Sequence, residues 1–220
     1  MKYATSCLHI AVAAVALMAA PQAQAQLGRQ MGLVEPNVAT DSAMKTAPHV
    51  SDVIVDALKR ARPILGPVPL DSILGANGLS KAQRADTYAK LFVHVDVNRG
   101  SDAELMLIPG MNAAKLSAVK AGRPWASFSA FHTALAKVSD VHEADRLEQY
   151  LFIPIDLNTW TNEIMDTFAS IGVGTRQWKR EFAEYRPWTS MEQFEREIGK
   201  YLRARPAELK RLERYVIINK

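Results

Sequence analysis

Cysteine is almost missing from this 220-residue sequence, which contains one, Cys7. That residue opens the long apolar run of the chain, Cys7 to Ala20, which follows Lys2 and leads into Ala23-Gln24-Ala25. A basic start, an apolar middle and a small-residue end form the pattern of a cleavable secretory signal peptide. The run is about 14 residues long, short of the roughly 20 that a membrane span needs. We therefore expect residues 1–25 to be removed, a mature chain of about 195 residues starting at Gln26, a periplasmic location, and no membrane span after cleavage. A mature chain without a thiol has no disulfide framework, no thiolate nucleophile and no Cys-ligated metal.

The sequence also lacks a strong charge of one sign. It has 27 basic and 23 acidic residues, formally +4. Loss of Lys2 with the signal leaves 26 against 23, too small an excess to define a polyelectrolyte-binding surface by itself. Catalytic signatures are missing as well: no His-Glu-x-x-His, no Gly-x-Ser-x-Gly and no phosphate loop ending in Gly-Lys-Ser/Thr occurs. His132 and His142 with Asp140, Glu143 and Asp145 have no standard metal-ligand spacing. We expect a protein that is not an enzyme, with no catalytic residue, no metal and no cofactor.

What is present is an internal repeat. Val95-Asp-Val-Asn98 recurs as Ile155-Asp-Leu-Asn158, Ile108-Pro-Gly110 as Ile171-Gly-Val-Gly174, and Arg123-Pro-Trp125 as Arg186-Pro-Trp188. Phe131 matches Phe194, and Leu147-Glu-Gln-Tyr150 matches Leu212-Glu-Arg-Tyr215. Five matches in the same order define two units, 95–154 and 155–220. Because Leu91-Phe-Val-His-Val-Asp-Val-Asn98 parallels Leu151-Phe-Ile-Pro-Ile-Asp-Leu-Asn158, residues 51–94 form a helical segment that could be a degenerate third unit. Residues 26–50, with Pro36, Pro48 and no sustained periodicity, read as a flexible N-terminal arm.

Within the units the signals are helical. Ser101 and Glu104 make a capping box, Pro109-Gly110 ends the helix that follows, and Ala113–Ala121 starts another. Gly122-Arg-Pro-Trp125 breaks that helix, Ser127 caps a third carrying Phe131 and Leu135, and a fourth ends at Tyr150. The second unit predicts helices near 160–169, 175–184, 190–202 and 206–215, with Pro206 at a favourable first position. Before the first unit, Ser51 and Ser80 each start a helix, and Pro63–Leu70 reads as a proline-broken connector.

Asp96-Val-Asn98, an acidic helix, Leu107-Ile-Pro-Gly110-Met-Asn-Ala-Ala-Lys115 and an apolar helix together resemble the helix-hairpin-helix module of the ComEA type of competence protein. They are also similar to the module of the extrinsic photosystem II subunit U. The likeness spans about residues 93–218. It implies an all-α fold of tandem helix-hairpin-helix units with short extended connectors. In the nucleic-acid-binding members, successive N–H groups of the glycine turn hold a phosphate at the start of the second helix, and Lys or Arg in the next turn adds sequence-independent attraction. Carried onto this chain, those roles fall on Gly172, Gly174, Arg176, Lys179 and Arg180 in the second unit, and on Gly110, Asn112 and Lys115 in the first, where the second glycine is replaced by Asn.

Two functions stay open at this point. One is sequence-independent binding of double-stranded DNA. The other is a protein-docking scaffold or accessory subunit of a periplasmic or envelope complex, which the short Gly122–Phe128 link and the likeness to the noncatalytic photosystem subunit favour. Residues 95–154 carry 6 basic and 7 acidic residues and residues 155–220 carry 12 and 10, so only the second unit offers a basic cluster. Trp125 and Trp188 recur at equivalent places and suit packing. Trp160 and Trp178 have Gly100 and Lys115 as their counterparts and are the candidate exposed protein contacts.

Overall fold

The computed structural model describes residues 26–219; the expected signal peptide lies outside the described residues. The protein is helix-rich, with twelve α-helices and five two- or three-residue strands among the described residues. The helices are α1 (Asp41–Met44), α2 (Asp52–Arg60), α3 (Pro67–Ala76), α4 (Lys81–Tyr88), α5 (Asp102–Met106), α6 (Ala113–Ala121), α7 (Phe128–Leu135), α8 (Val141–Glu148), α9 (Asn162–Thr167), α10 (Arg176–Glu184), α11 (Met191–Gly199) and α12 (Pro206–Glu213). The strands are β1 (Gln26–Leu27), β2 (Val95–Asp96), β3 (Leu151–Ile153), β4 (Ile155–Asp156) and β5 (Val216–Ile217). Among the described residues no helix is long and apolar enough to cross a membrane.

Helices of four to ten residues are not stable alone in water, so each needs a cap and a packed face. The caps are in the sequence. Ser51, Ser80, Ser101, Asn112, Ser127, Asp140, Thr161, Thr175 and Ser190 each accept the N–H of the residue three positions on. Pro67 and Pro206 take first-turn positions, where no donor is lost. The connector read at 63–70 therefore already contains the start of α3.

The same hydrogen-bonded clasp occurs three times. Asn98 donates from its side-chain amide to the Trp125 carbonyl (3.1 Å) and accepts from the Trp125 N–H (2.6 Å); Asn158 does the same with Trp188 (2.9 and 2.8 Å), and Asn37 with Ile64 (3.0 and 2.6 Å). Beside each Asn an arginine closes the chain start. Arg123 bonds the Val97 and Gly100 carbonyls, Arg186 those of Leu157 and Trp160, and Arg62 those of Pro36 and Ala39. Each repeat is also sealed by a parallel pairing of its first and last segments: Val34 with Leu91, β2 with β3, and β4 with β5.

The first repeat starts near Val34, not at residue 51. Residues 26–50 are not a free arm either: β1 pairs with β3, α1 sits in the first repeat, and Met44 and Ala47 are in the core. The physical reason is that α1 has only four residues, too few to show a helical period, while the clasp relies on single residues, Asn37 and Arg62, far apart in sequence. One apolar core joins the first two repeats and a second fills the third repeat, with Leu27 of β1 inserted into it.

Candidate functional site

Each repeat reverses the chain between its first two helices through one left-handed residue: His49 (φ 63°), Gly110 (φ 77°) and Gly172 (φ 75°). Glycine takes this conformation without a Cβ penalty; His49 takes it with its ring against Asp86 (Nε2 to Oδ2, 3.3 Å). The turns at Gly110 and Gly172 are the expected phosphate sites, and in every repeat the fourth helix reaches back to cover the turn. Thr87 donates to the Pro48 carbonyl (2.9 Å), Arg146 to that of Pro109 (2.6 Å) and Arg211 to that of Ile171 (2.9 Å).

In the second repeat Gly110 is exposed but lies beneath Arg146, whose Nη2 would be 2.4 Å from a Cβ placed there. Asn112 is not left-handed as the glycine replacement suggested. It is extended (φ −142°) and caps α6 by accepting the Lys115 N–H at 3.0 Å. Lys115 does not reach outward: its Nζ donates to the Gly110 carbonyl (2.8 Å) and pairs with Glu143. Arg146 and then Lys115 beside Glu143 hold that carboxyl well below its ordinary range, at about 2.

The third repeat keeps both glycines for packing. Gly174 passes so close to α9 that a Cβ would stand 1.7 Å from the Met165 carbonyl oxygen, and a Cβ on Gly172 would meet the Val38 side chain of the first repeat at 2.9 Å. The turn's donors are spent internally: Gly172 N–H on Ala169, and Val173 and Gly174 N–H on Phe168 (3.0, 3.2 and 3.0 Å). Lys179 pairs with Asp166 and Arg180 with Glu181, both at 2.5 Å. Of the three expected cations Arg176 alone is exposed with no acid pair among the described residues.

Trp160 and Trp178, expected as exposed protein contacts, are instead covered. Trp160 is 9% and Trp178 5% exposed. Arg186 covers the Trp160 ring at 4.5 Å, and Trp178 stacks along Phe182. They are packing residues because the third repeat must build its own core, where the second repeat shares one with the first. Trp125 and Trp188 are buried as well and donate their indole N–H to the Val119 and Phe182 carbonyls, both at 2.8 Å.

The acid and histidine group is split apart. Asp140 caps α8 and Glu143 joins Lys115 and Arg146, while His142 is exposed. His132 and Asp145 instead meet Glu148, which the sequence reading left out, with one ligand atom of each within 4.8 Å of the others. Arg29 lies on both carboxylates (3.1 and 3.4 Å), so the group already holds a cation. The signal for Glu148 was its place one helical turn from Asp145; the signal for Arg29, more than a hundred residues away, was nil.

Compared with known protein families, with curated proteins and with solved structures, the chain matches none. The class that fold and site define is therefore a helix-rich protein of three clasped repeats with covered hairpin turns.

Proposed function

We propose that this is a noncatalytic docking scaffold, exported to the periplasm, whose helix-hairpin-helix units serve as rigid packing elements and leave nucleic acid unbound. One observation carries the reading. The groups that a phosphate would need at the best hairpin, the N–H donors of Gly172, Val173 and Gly174 with Lys179 and Arg180, already bond within the chain. A phosphate would have to replace those bonds, and breaking them forfeits the compensation that lets polar groups be buried. The three repeats also pack directly on one another: Val38 against Gly172, and Arg99 of the second repeat bonded to the Arg214 carbonyl of the third (2.6 Å). Such a body offers fixed surfaces to a partner protein.

Binding of duplex backbone is the second reading, favoured by the exposure of Arg176 and Arg180 at the start of α10, where first-turn N–H groups lack intrahelical partners. Fluorescence anisotropy of unrelated duplexes with the protein at about 50 and 200 mM salt separates the two. The docking reading expects no saturable binding at low salt. Affinity that falls steeply with salt and is lost in Arg176→Ala/Arg180→Ala overturns it.

A further inference from the structure

The segment Gln26–Gln30 lies across the seam between the second and third repeats, in a groove matched to it residue by residue. β1 runs antiparallel to the free edge of β3, Gln26 opposite Ile153 and Leu27 opposite Phe152, while β2 holds the other edge. Leu27 is 6% exposed, inserted in the core of the third repeat, and donates its N–H to Thr167 Oγ1 at 3.1 Å. Gly28 donates to the Leu151 carbonyl at 2.9 Å, and a Cβ there would fall 1.8 Å from the backbone oxygen of Glu148. Only glycine fits, because the obstacle is backbone. Arg29 then bonds Glu148 through its N–H (3.1 Å), and its guanidinium lies on Asp145 and Glu148, which His132 flanks from the other side.

Backbone pairing on a sheet edge, an apolar pocket, a position open to glycine alone and an acidic receptor for arginine are the parts of a strand-addition peptide site. We infer that this groove is a recognition site for an extended peptide of a partner protein with the pattern apolar–Gly–Arg, and that residues 26–30 occupy it as an internal stand-in. The chemistry argues for that occupant: the Asp145–Glu148 pair demands a cation, the Glu148 carbonyl excludes any side chain one position earlier, and Leu27 shows that the pocket before it takes an aliphatic group. The strap joins the first repeat through exposed Met31 and Gly32, so it is held by a short tether. This inference deepens the docking reading by naming its site.

The probe is a labelled peptide with the sequence of residues 26–32, titrated against the full chain and against its Gly28→Val and Leu27→Asp forms, which are designed to expel the strap without changing the residues of the groove. A short tether holds the strap at an effective concentration on the order of 1 mM, so the expelled forms should bind the peptide at least about tenfold more tightly than the wild type. The peptide carrying Arg29→Glu should not bind. An expelled form with a native far-UV spectrum that ignores the peptide overturns the inference, as does equal binding of the Arg29→Glu peptide. Should both variants unfold, hydrogen exchange of the wild type decides. Millimolar peptide should speed exchange at Gly28 and Arg29 several-fold, and unchanged protection overturns the inference. Failure here leaves the docking reading standing, since that reading fails in the duplex titration instead.

Discussion

The hairpins of the second and third repeats have the same task and solve it with opposite materials. In the second, the turn is exposed and loosely covered: Gly110 sits under a half-exposed Arg146, Asn112 caps α6, and α6 presents Ala113, Ala114, Ser117 and Ala121 to solvent. In the third, an extra residue and a second glycine press the turn into α9, the buried Arg211 closes it, and α10 carries Arg176, Arg180 and Glu184 outside with Trp178, Glu181 and Phe182 inside. On the docking reading proposed above, a glycine-rich hairpin followed by basic residues meets packing demands. What separates a phosphate site from a packed corner is where the N–H groups and cations spend their bonds.

The largest break in this comparison should come from Gly174→Ala. A methyl group set 1.7 Å from a backbone oxygen forces α9 and α10 apart, and a loss of about 3 kcal/mol or more in urea unfolding is expected. No residue of the second hairpin should be so sensitive. Next is the covering arginine. Arg211→Ala removes a buried guanidinium from Glu208 and the Ile171 carbonyl and should cost about 3 kcal/mol, against about 1 kcal/mol for the more exposed Arg146→Ala; equal costs would show that the two turns are closed alike.

Acid should separate them further. Glu143 titrates at about 2 in the folded chain against an ordinary 4.5, so its contribution is present above about pH 4.5 and is lost as pH falls through 2. Melting temperatures of wild type and Glu143→Gln should therefore differ at pH 6 and converge near pH 2; a constant gap would mean that Lys115 and Arg146 do not hold that carboxylate. The smallest effect belongs to Arg176→Ala, exposed and without an acid pair, which should change stability by less than about 0.5 kcal/mol.

Much of the architecture could be read in advance because its signals are local. N-cap side chains, Pro206 at a first-turn position and the ordered matches between 95–154 and 155–220 each depend on neighbouring residues, and the helices of the last two repeats stand near where those residues put them, while α1 and α3 were not read. The start of the first repeat escaped because Glu35 stands in place of the aspartate and Ile64 in place of the tryptophan of the other two clasps, leaving only Asn37 and Arg62-Pro63 in common. The candidate site was only partly legible. Gly110 and Gly172 are left-handed turn residues, as a glycine there demands, yet the burial of Trp160 and the pairing of Lys115 with Glu143 depend on residues that meet only in the folded chain.

The sequence by itself determined the helix starts of the last two repeats, the broken turns, the repeat and the near balance of charge, since these rest on the chemistry of single residues and short spacings. Tertiary structure alone decided which charges are free, which tryptophans are covered and where residues 26–30 lie. Those outcomes are set by contacts between residues up to 140 positions apart, such as Leu27 with Thr167, and no local pattern encodes the burial that fixes them.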